Sequence, residues 1–174
     1  MNPKLDLKNE LIFDSNFESG NLDLVIKTDQ NKYDLYMRVD TNTRGHHQWF
    51  YFTVTYPEEL NKQTIQFTVR NFTKDSSLYD YGMRIAIAKK SQNYTWFKAG
   101  DEIKYGRSNL VRRSNIDPML VQYYYSLKFK YTFDSRAKSD TVCFAYCYPY
   151  TFTKLQRFLK AVSLEQKDND CYSE

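Results

Sequence analysis

The sequence predicts an all-β domain, an antiparallel β-sandwich of about nine strands with one short C-terminal helix. Three observations carry that prediction. Aromatic residues make up 17% of the 174 residues, with 16 Tyr and 12 Phe, and such side chains suit a pleated, half-buried surface. Apolar and polar residues alternate with period two along most of the chain, so each segment turns one face inward. Turn-forming clusters separate these segments at intervals of about 8 to 12 residues, as in a sandwich or barrel. The length supports one core and would starve a second of apolar surface.

The first strand is expected over Asn21 to Lys27, where Leu22, Leu24 and Ile26 alternate with Asp23, Val25 and Lys27. A polar link from Thr28 to Lys32 has hairpin length, and Tyr33 to Asp40 forms the second strand with Tyr33, Leu35, Met37 and Val39 inward. After a loop from Thr41 to His47, Gln48 to Tyr56 reads as a central strand, with Phe50, Phe52 and Val54 on one side and Trp49 and Tyr51 on the other. Thr64 to Asn71 comes next, with Ile65, Phe67 and Val69 inward. A long connection then leads to short strands at Met83 to Ala88 and at Tyr94 to Lys98. From Ala99 to Pro118 the alternation fades, and this basic stretch reads as a loop. Gln122 to Phe133 alternates most clearly, with Tyr123, Tyr125, Leu127, Phe129, Tyr131 and Phe133 opposite Lys128 and Lys130. Val142 to Tyr148 is apolar throughout, as a strand covered on both faces would be. Beyond Thr151, Leu155, Phe158, Leu159 and Val162 recur at helical spacing, and Thr153 with Gln156 matches a capping box. From Glu165 the chain is polar and is expected to fray.

The net charge of +4 is unevenly spread. Residues 1–60 hold 6 basic and 10 acidic side chains (−4), residues 61–160 hold 18 and 7 (+11), and residues 161–174 hold 1 and 4 (−3). A basic middle suits an acidic partner, because a field of one sign raises encounters with the other; a solvated face paired with the acidic ends accounts for it equally well. Acidic residues occupy the first thirty positions where a signal peptide needs an apolar run, and no window suits a membrane span. The three cysteines, Cys143, Cys147 and Cys171, are an odd count without framework spacing. These features predict a cytoplasmic chain with free thiols, in which the sequons at Asn71 and Asn93 are accidental.

His46 and His47 with Cys143 and Cys147 are the candidates for a metal site, and strand geometry argues against them. Residues four apart on a strand lie about 13 Å apart. Two thiolates on one zinc need their sulfurs within about 4 Å. No His-Glu-x-x-His, Gly-x-Ser-x-Gly or phosphate-binding Gly-rich loop is present, and Asp40 and Asp140 read as turn residues. The basic stretch containing Lys104, Arg107, Arg112 and Arg113 is the candidate binding surface for an acidic partner. Nucleic acid fits it poorly, because base stacking needs rings and charges on one face and the alternation from Tyr123 to Phe133 separates them.

Four segments, taken in order, resemble one family. They are Phe17-Glu18-Ser19-Gly20-Asn21-Leu22; Tyr33-Asp34-Leu35 through Asp40-Thr41-Asn42-Thr43 to Gln48-Trp49-Phe50-Tyr51-Phe52; Asn71-Phe72-Thr73-Lys74 through Ser77-Leu78-Tyr79 to Gly82-Met83-Arg84; and Asp140-Thr141-Val142 through Phe144-Ala145 to Cys147-Tyr148-Pro149-Tyr150-Thr151. The family is the cytosolic carboxypeptidases, which remove glutamates from tubulin tails and other acidic protein ends, and the likeness is to the β-sandwich domain that precedes their peptidase domain. Tyr146 and Ile85 depart from the family pattern, where relatives carry His and Pro. The resemblance implies a sandwich over residues 17–163, between an N-terminal extension (1–16) and a polar tail (164–174). It implies no catalytic residue and no cofactor in this chain, since the family's zinc ligands, a His-x-x-Glu pair and a later His, belong to the peptidase domain. It also implies a peptidase domain or subunit as partner, glutamylated tubulin tails on the basic stretch, a cytoplasmic setting near microtubules or cilia, and an exposed apolar patch for docking. The competing expectation is a stand-alone sandwich module that binds a protein or nucleic acid.

Overall fold

The computed structural model describes residues 10–43, 46–60, 62–113, 119–134 and 139–170. Ten strands form two five-stranded sheets, with one helix after them. They are β1 (Ile12–Asp14), β2 (Leu22–Asp29), β3 (Lys32–Met37), β4 (Tyr51–Pro57), β5 (Thr64–Phe72), β6 (Ile85–Lys89), β7 (Trp96–Ala99), β8 (Asp101–Arg113), β9 (Val121–Thr132) and β10 (Ser139–Ala145), then α1 (Phe152–Asp170). One sheet runs β1-β4-β10-β6-β7 and the other β2-β3-β5-β9-β8. All pairings are antiparallel except β3 with β5, which is parallel because the chain passes through the other sheet, as β4, between them. No helix among the described residues is long and apolar enough to cross a membrane.

The core is aromatic and lies between the sheets. Phe52, Phe67, Phe129, Phe133 and Phe144 are fully buried. Phe144 stacks on Phe52 at 5.4 Å and meets Phe67 at 5.4 Å and Tyr131 at 5.1 Å, within the range where ring pairs add to burial. The alternation read from β4 and β9 holds: Phe50, Phe52 and Val54, then Leu127, Phe129 and Tyr131, all face inward. β10 is covered on both faces as expected, with Val142, Cys143, Phe144 and Ala145 buried. Its outward face is roofed by rings, since Cys143 pairs with Ala88, which pairs with Trp96, and Trp96 packs on Tyr51 at 5.8 Å.

Four expectations are corrected. Residues 114–118 of the expected loop lie outside the described residues, and from Asp101 to Arg113 it is β8, a 13-residue edge strand. Register shifts between Asp101 and Lys104 and between Arg107 and Val111 break its alternation, which is why period two does not show in the sequence. β1 lies within the segment read as an extension; it pairs with β4, and Phe13 packs 5.3 Å from Tyr33. In β2 a shift between Leu22 and Leu24 inverts the facing of the rest of the strand. Val25 turns to the core, while Leu24 and Ile26 are 50% and 42% exposed. The helix is longer than expected, running to Asp170, and its cap is Thr151, whose hydroxyl accepts from the Lys154 amide at 3.3 Å.

Two small residues fix the connections by different means. Gly82 caps a short turn at φ 89°, a conformation that disfavours any Cβ. Gly20 is required by space, since a Cβ there would sit 2.3 Å from the Ser15 carbonyl oxygen. Two asparagines act as substitute peptide groups. The Asn71 amide accepts from Met37 N at 3.0 Å and donates to Met37 O at 2.8 Å, extending the β3 pairing past its backbone ladder. Asn21 does the same to Trp49 O (2.9 Å) and Tyr51 N (3.0 Å), tying the start of β2 to the opposite sheet.

Candidate functional site

β8 carries the four residues expected to bind an acidic partner, and its register separates them. Paired residues on antiparallel strands share a face. Lys104 pairs with Lys128 and Arg112 with Gln122, which places both on the outward face of the sheet. Arg107 pairs with Tyr125 on the opposite face, and Arg113 pairs with Val121 in the backbone register at the end of the strand. Even Lys104 and Arg112 stand apart: their partners are six residues apart on β9, about 20 Å at strand rise. The four do not form one site.

The sheet does assemble Lys104, Lys128 and Lys130. Lys104 and Lys128 sit directly opposite one another, an arrangement that repels unless an anion lies between. Glu102, in the first β8 bulge at φ 48°, supplies part of that charge, with its carboxylate 2.6 Å from Lys130 Nζ. The hydrogen bond from Lys130 first, and then the charges of Lys130, Lys104 and Lys128, hold the Glu102 carboxyl below its ordinary range. Asp101, which pairs with Lys130 and lies 3.6 Å from Arg84, adds a second carboxylate, and the three ammoniums remain in excess. Charge on an edge strand also deters edge-to-edge pairing with other chains, a structural use of the same residues.

At the far end of the β8 and β9 pair, Arg107 lies over the Tyr123 ring at 4.6 Å and Arg112 over Tyr124 at 6.0 Å. Rings and charges share a face in these two pairs, while alternation keeps Leu127, Phe129 and Tyr131 apart from Lys128 and Lys130 as expected. The guanidinium groups, however, occupy the ring faces a base would need.

The sequence did not single out the aromatic rim around the β10 to α1 link. Trp49, Tyr148 and Tyr150 line an open groove of about 660 Å³ with Asn21 and Cys147. Trp49 reads as core area in sequence, yet it stands half-buried at the rim and donates to Ser19 O at 2.8 Å. Lys98 lies 5.0 Å above the Tyr148 ring, and burial pulls its ammonium below the usual lysine range. Beside this rim the helix leaves Phe152, Leu155, Phe158 and Leu159 exposed.

The described residues do not fit a zinc ion. Among the described residues no group of three or more His, Cys, Asp or Glu could hold a metal. Cys143 is buried, and burial pushes its thiol up to about 11, the reverse of what a thiolate ligand needs. His47 is buried while His46 is exposed. Asp140 is 4% exposed and fully employed, accepting from Ser91 N (3.0 Å), Ser91 Oγ (2.5 Å) and Thr141 N (2.8 Å).

Comparison with known proteins accounts for this scaffold. A family model describing the cytosolic carboxypeptidase N-terminal domain matches residues 13–147. Mouse cytosolic carboxypeptidase 3 is 38% identical over 159 residues, which cover 89% of this chain and 15% of that protein. Human cytosolic carboxypeptidase 2 is 36% identical over 159 residues, covering 89% of this chain and 16% of that one. The chain thus spans less than a fifth of either relative's length. Among solved structures, a metallo-carboxypeptidase from Burkholderia cenocepacia aligns at a TM-score of 0.56 and 19% identity, over 88% of this chain and 33% of its own, a likeness of fold. With the family match covering most of the sandwich, this chain belongs to the cytosolic carboxypeptidase N-terminal domain family.

Proposed function

We propose that this chain is a non-catalytic domain that supports a zinc peptidase domain, whether that domain continues the same polypeptide or arrives as a separate subunit. The observation that carries the reading is how little of its relatives the match spans. Curated relatives named cytosolic carboxypeptidases align with this chain over only 15% or 16% of their length, and the described residues hold no cluster fit for a metal. Hydrolysis by zinc needs three protein ligands and an open position, so the chemistry falls to another part of the assembly. Co-expression with the part of mouse cytosolic carboxypeptidase 3 outside the matching segment tests the reading. The two are expected to co-elute as one species, and separate elution overturns it.

The same reading gives the lysine face of β8 and β9 a task, the reception of acidic protein tails such as glutamylated tubulin ends. Support comes from the Lys104, Lys128 and Lys130 cluster, whose three ammoniums outnumber the carboxylates of Glu102 and Asp101 beside them. Fluorescence anisotropy with a polyglutamylated tail peptide is expected to show binding that weakens as salt rises and is lost in Lys104→Glu/Lys128→Glu. No binding at low salt, or affinity indifferent to salt, removes this role.

A further inference from the structure

β2 ends its sheet, and among the described residues it pairs only with β3. Its other edge presents unpaired backbone N–H and C=O groups, a template for one more strand. The opposite edge of the same sheet is guarded, since β8 carries Lys104, Arg107 and Arg112 and is broken by two register shifts. β2 is less protected. Between its own two shifts, Leu24 to Lys27 runs in regular register, and the residues it turns outward are Leu24 and Ile26, 50% and 42% exposed. Half-buried Tyr36, the β3 partner of Leu24, continues that apolar surface inland. An apolar edge of this kind attracts another strand.

The residues of β2 say which strand fits. Laid antiparallel on a second copy of itself, with a two-fold axis at Val25, the segment is self-complementary. Leu24 then stands opposite Ile26 of the second copy, and Ile26 opposite its Leu24. Asp23 stands opposite Lys27, and Lys27 opposite Asp23, and opposite charges directly across a strand pair attract. Each contact occurs twice, as in any isologous interface. An axis normal to the sheet also keeps Val25 of both copies on the core side and Leu24 and Ile26 on the outward side. The neighbouring registers lose the match. With the axis at Ile26, Asp23 opposes Asp29; with the axis at Leu24, Asp23 opposes Val25 and Lys27 opposes Asn21. Asp23 and Lys27 are both exposed. Lys27 Nζ lies 3.6 Å from Glu10 in a contact at the surface, and an ammonium with three donors can reach a second carboxylate as well.

We infer that β2 is a self-association edge: two copies of this chain pair β2 with β2 about Val25, and their two five-stranded sheets join into one of ten strands. The interface is small, so the dimer is a weak, concentration-dependent one.

Sedimentation velocity of the full chain at low salt, from about 1 to about 500 µM, tests the pairing. The native chain is expected to pass from monomer to dimer across that range. Ile26→Lys puts a charge opposite Leu24 and should weaken association about tenfold or more. Asp23→Lys sets lysine against lysine and Lys27→Asp sets aspartate against aspartate, so each variant alone should associate about 30-fold more weakly. An equimolar mixture of these two restores both acid–base pairs in a heterodimer, which should form within about threefold of the native affinity. Loss of fold in either variant could not be rescued by mixing, and all three substitutions fall at exposed positions, where the fold tolerates change. A native chain that stays monomeric at about 500 µM overturns the proposal, and so does a dimer indifferent to all three substitutions, which would lie on another face. Single variants that weaken association without rescue on mixing overturn the register about Val25.

Discussion

Replacing Asn71 with leucine should destabilise the sandwich more than its position at a strand end suggests. The Asn71 amide satisfies both backbone groups of Met37, a residue whose side chain is 2% exposed, so the substitution strands a donor and an acceptor together. Each unsatisfied buried group costs about 1–3 kcal/mol, and the apolar leucine returns about 1 kcal/mol, leaving a net loss of about 3 kcal/mol. For a domain of this size that lowers Tm by about 6–12 °C. Asn71→Asp separates the two bonds. Its carboxylate still accepts from Met37 N but opposes the Met37 carbonyl, so at neutral pH it should melt no higher than the leucine variant. A protonated Asp can donate to that carbonyl, which raises its folded pKa above the unfolded value. The aspartate variant should therefore recover stability as pH falls through the folded pKa, while the leucine variant should not. Calorimetry from pH 4 to pH 8 reads both effects. A leucine variant that melts within about 2 °C of the native chain, or an aspartate variant that tracks leucine at every pH, refutes the peptide-mimic role.

Phe144→Ala should cost about 4 kcal/mol in urea titration, against about 0.5 kcal/mol or less for Tyr150→Ala at the exposed rim; equal losses would displace the core from the centre of the sandwich. At pH 8 iodoacetamide should modify exposed Cys147 and spare Cys143, whose thiol burial pushes up to about 11; fragment ions from the 139–154 peptide report the pattern, and equal labelling contradicts it. Burial raises the phenols of Tyr51, Tyr79, Tyr105 and Tyr131, that of Tyr105 to about 12. Their folded pKa values lie above the unfolded value, so this stability is intact below about pH 10 and is lost as pH rises beyond it. Urea midpoints should fall between about pH 10 and pH 12, with a late rise in tyrosinate absorbance that coincides with unfolding; a flat profile contradicts the burial of these rings.

Where side chains alternate without interruption, the sequence reads directly as structure. Phe50 just ahead of β4, Phe52 and Val54 within it, and Leu127, Phe129 and Tyr131 in β9 face the core as their spacing dictates. Bulges conceal the facing of every residue beyond them in the strand. One extra residue at Asp23 turns Leu24 and Ile26 outward and Val25 inward, and the shifts around Glu102 and after Arg107 erase the period that would have identified β8. The candidate basic site failed as a single site for the same reason, since sequence proximity from Lys104 to Arg113 ignores facing and bulges. Lys128 and Lys130, from the neighbouring strand, complete the cluster, and register is what a sequence does not state. The helix was legible by spacing, but its bare stripe was not, because spacing identifies an apolar face without saying what covers it.

The order of the first sheet has a consequence for synthesis. β10, the last strand to be made, is the middle strand of its sheet, between β4 and β6. While the chain emerges from the ribosome, β1 with β4 and β6 with β7 can exist only as two unjoined pairs, each with a hydrophobic edge open to solvent. A nascent chain halted between Ala99 and Ser139 thus holds two half-sheets with no keystone between them, and Phe52 lacks the Phe144 ring that stacks on it until residues 139–145 arrive.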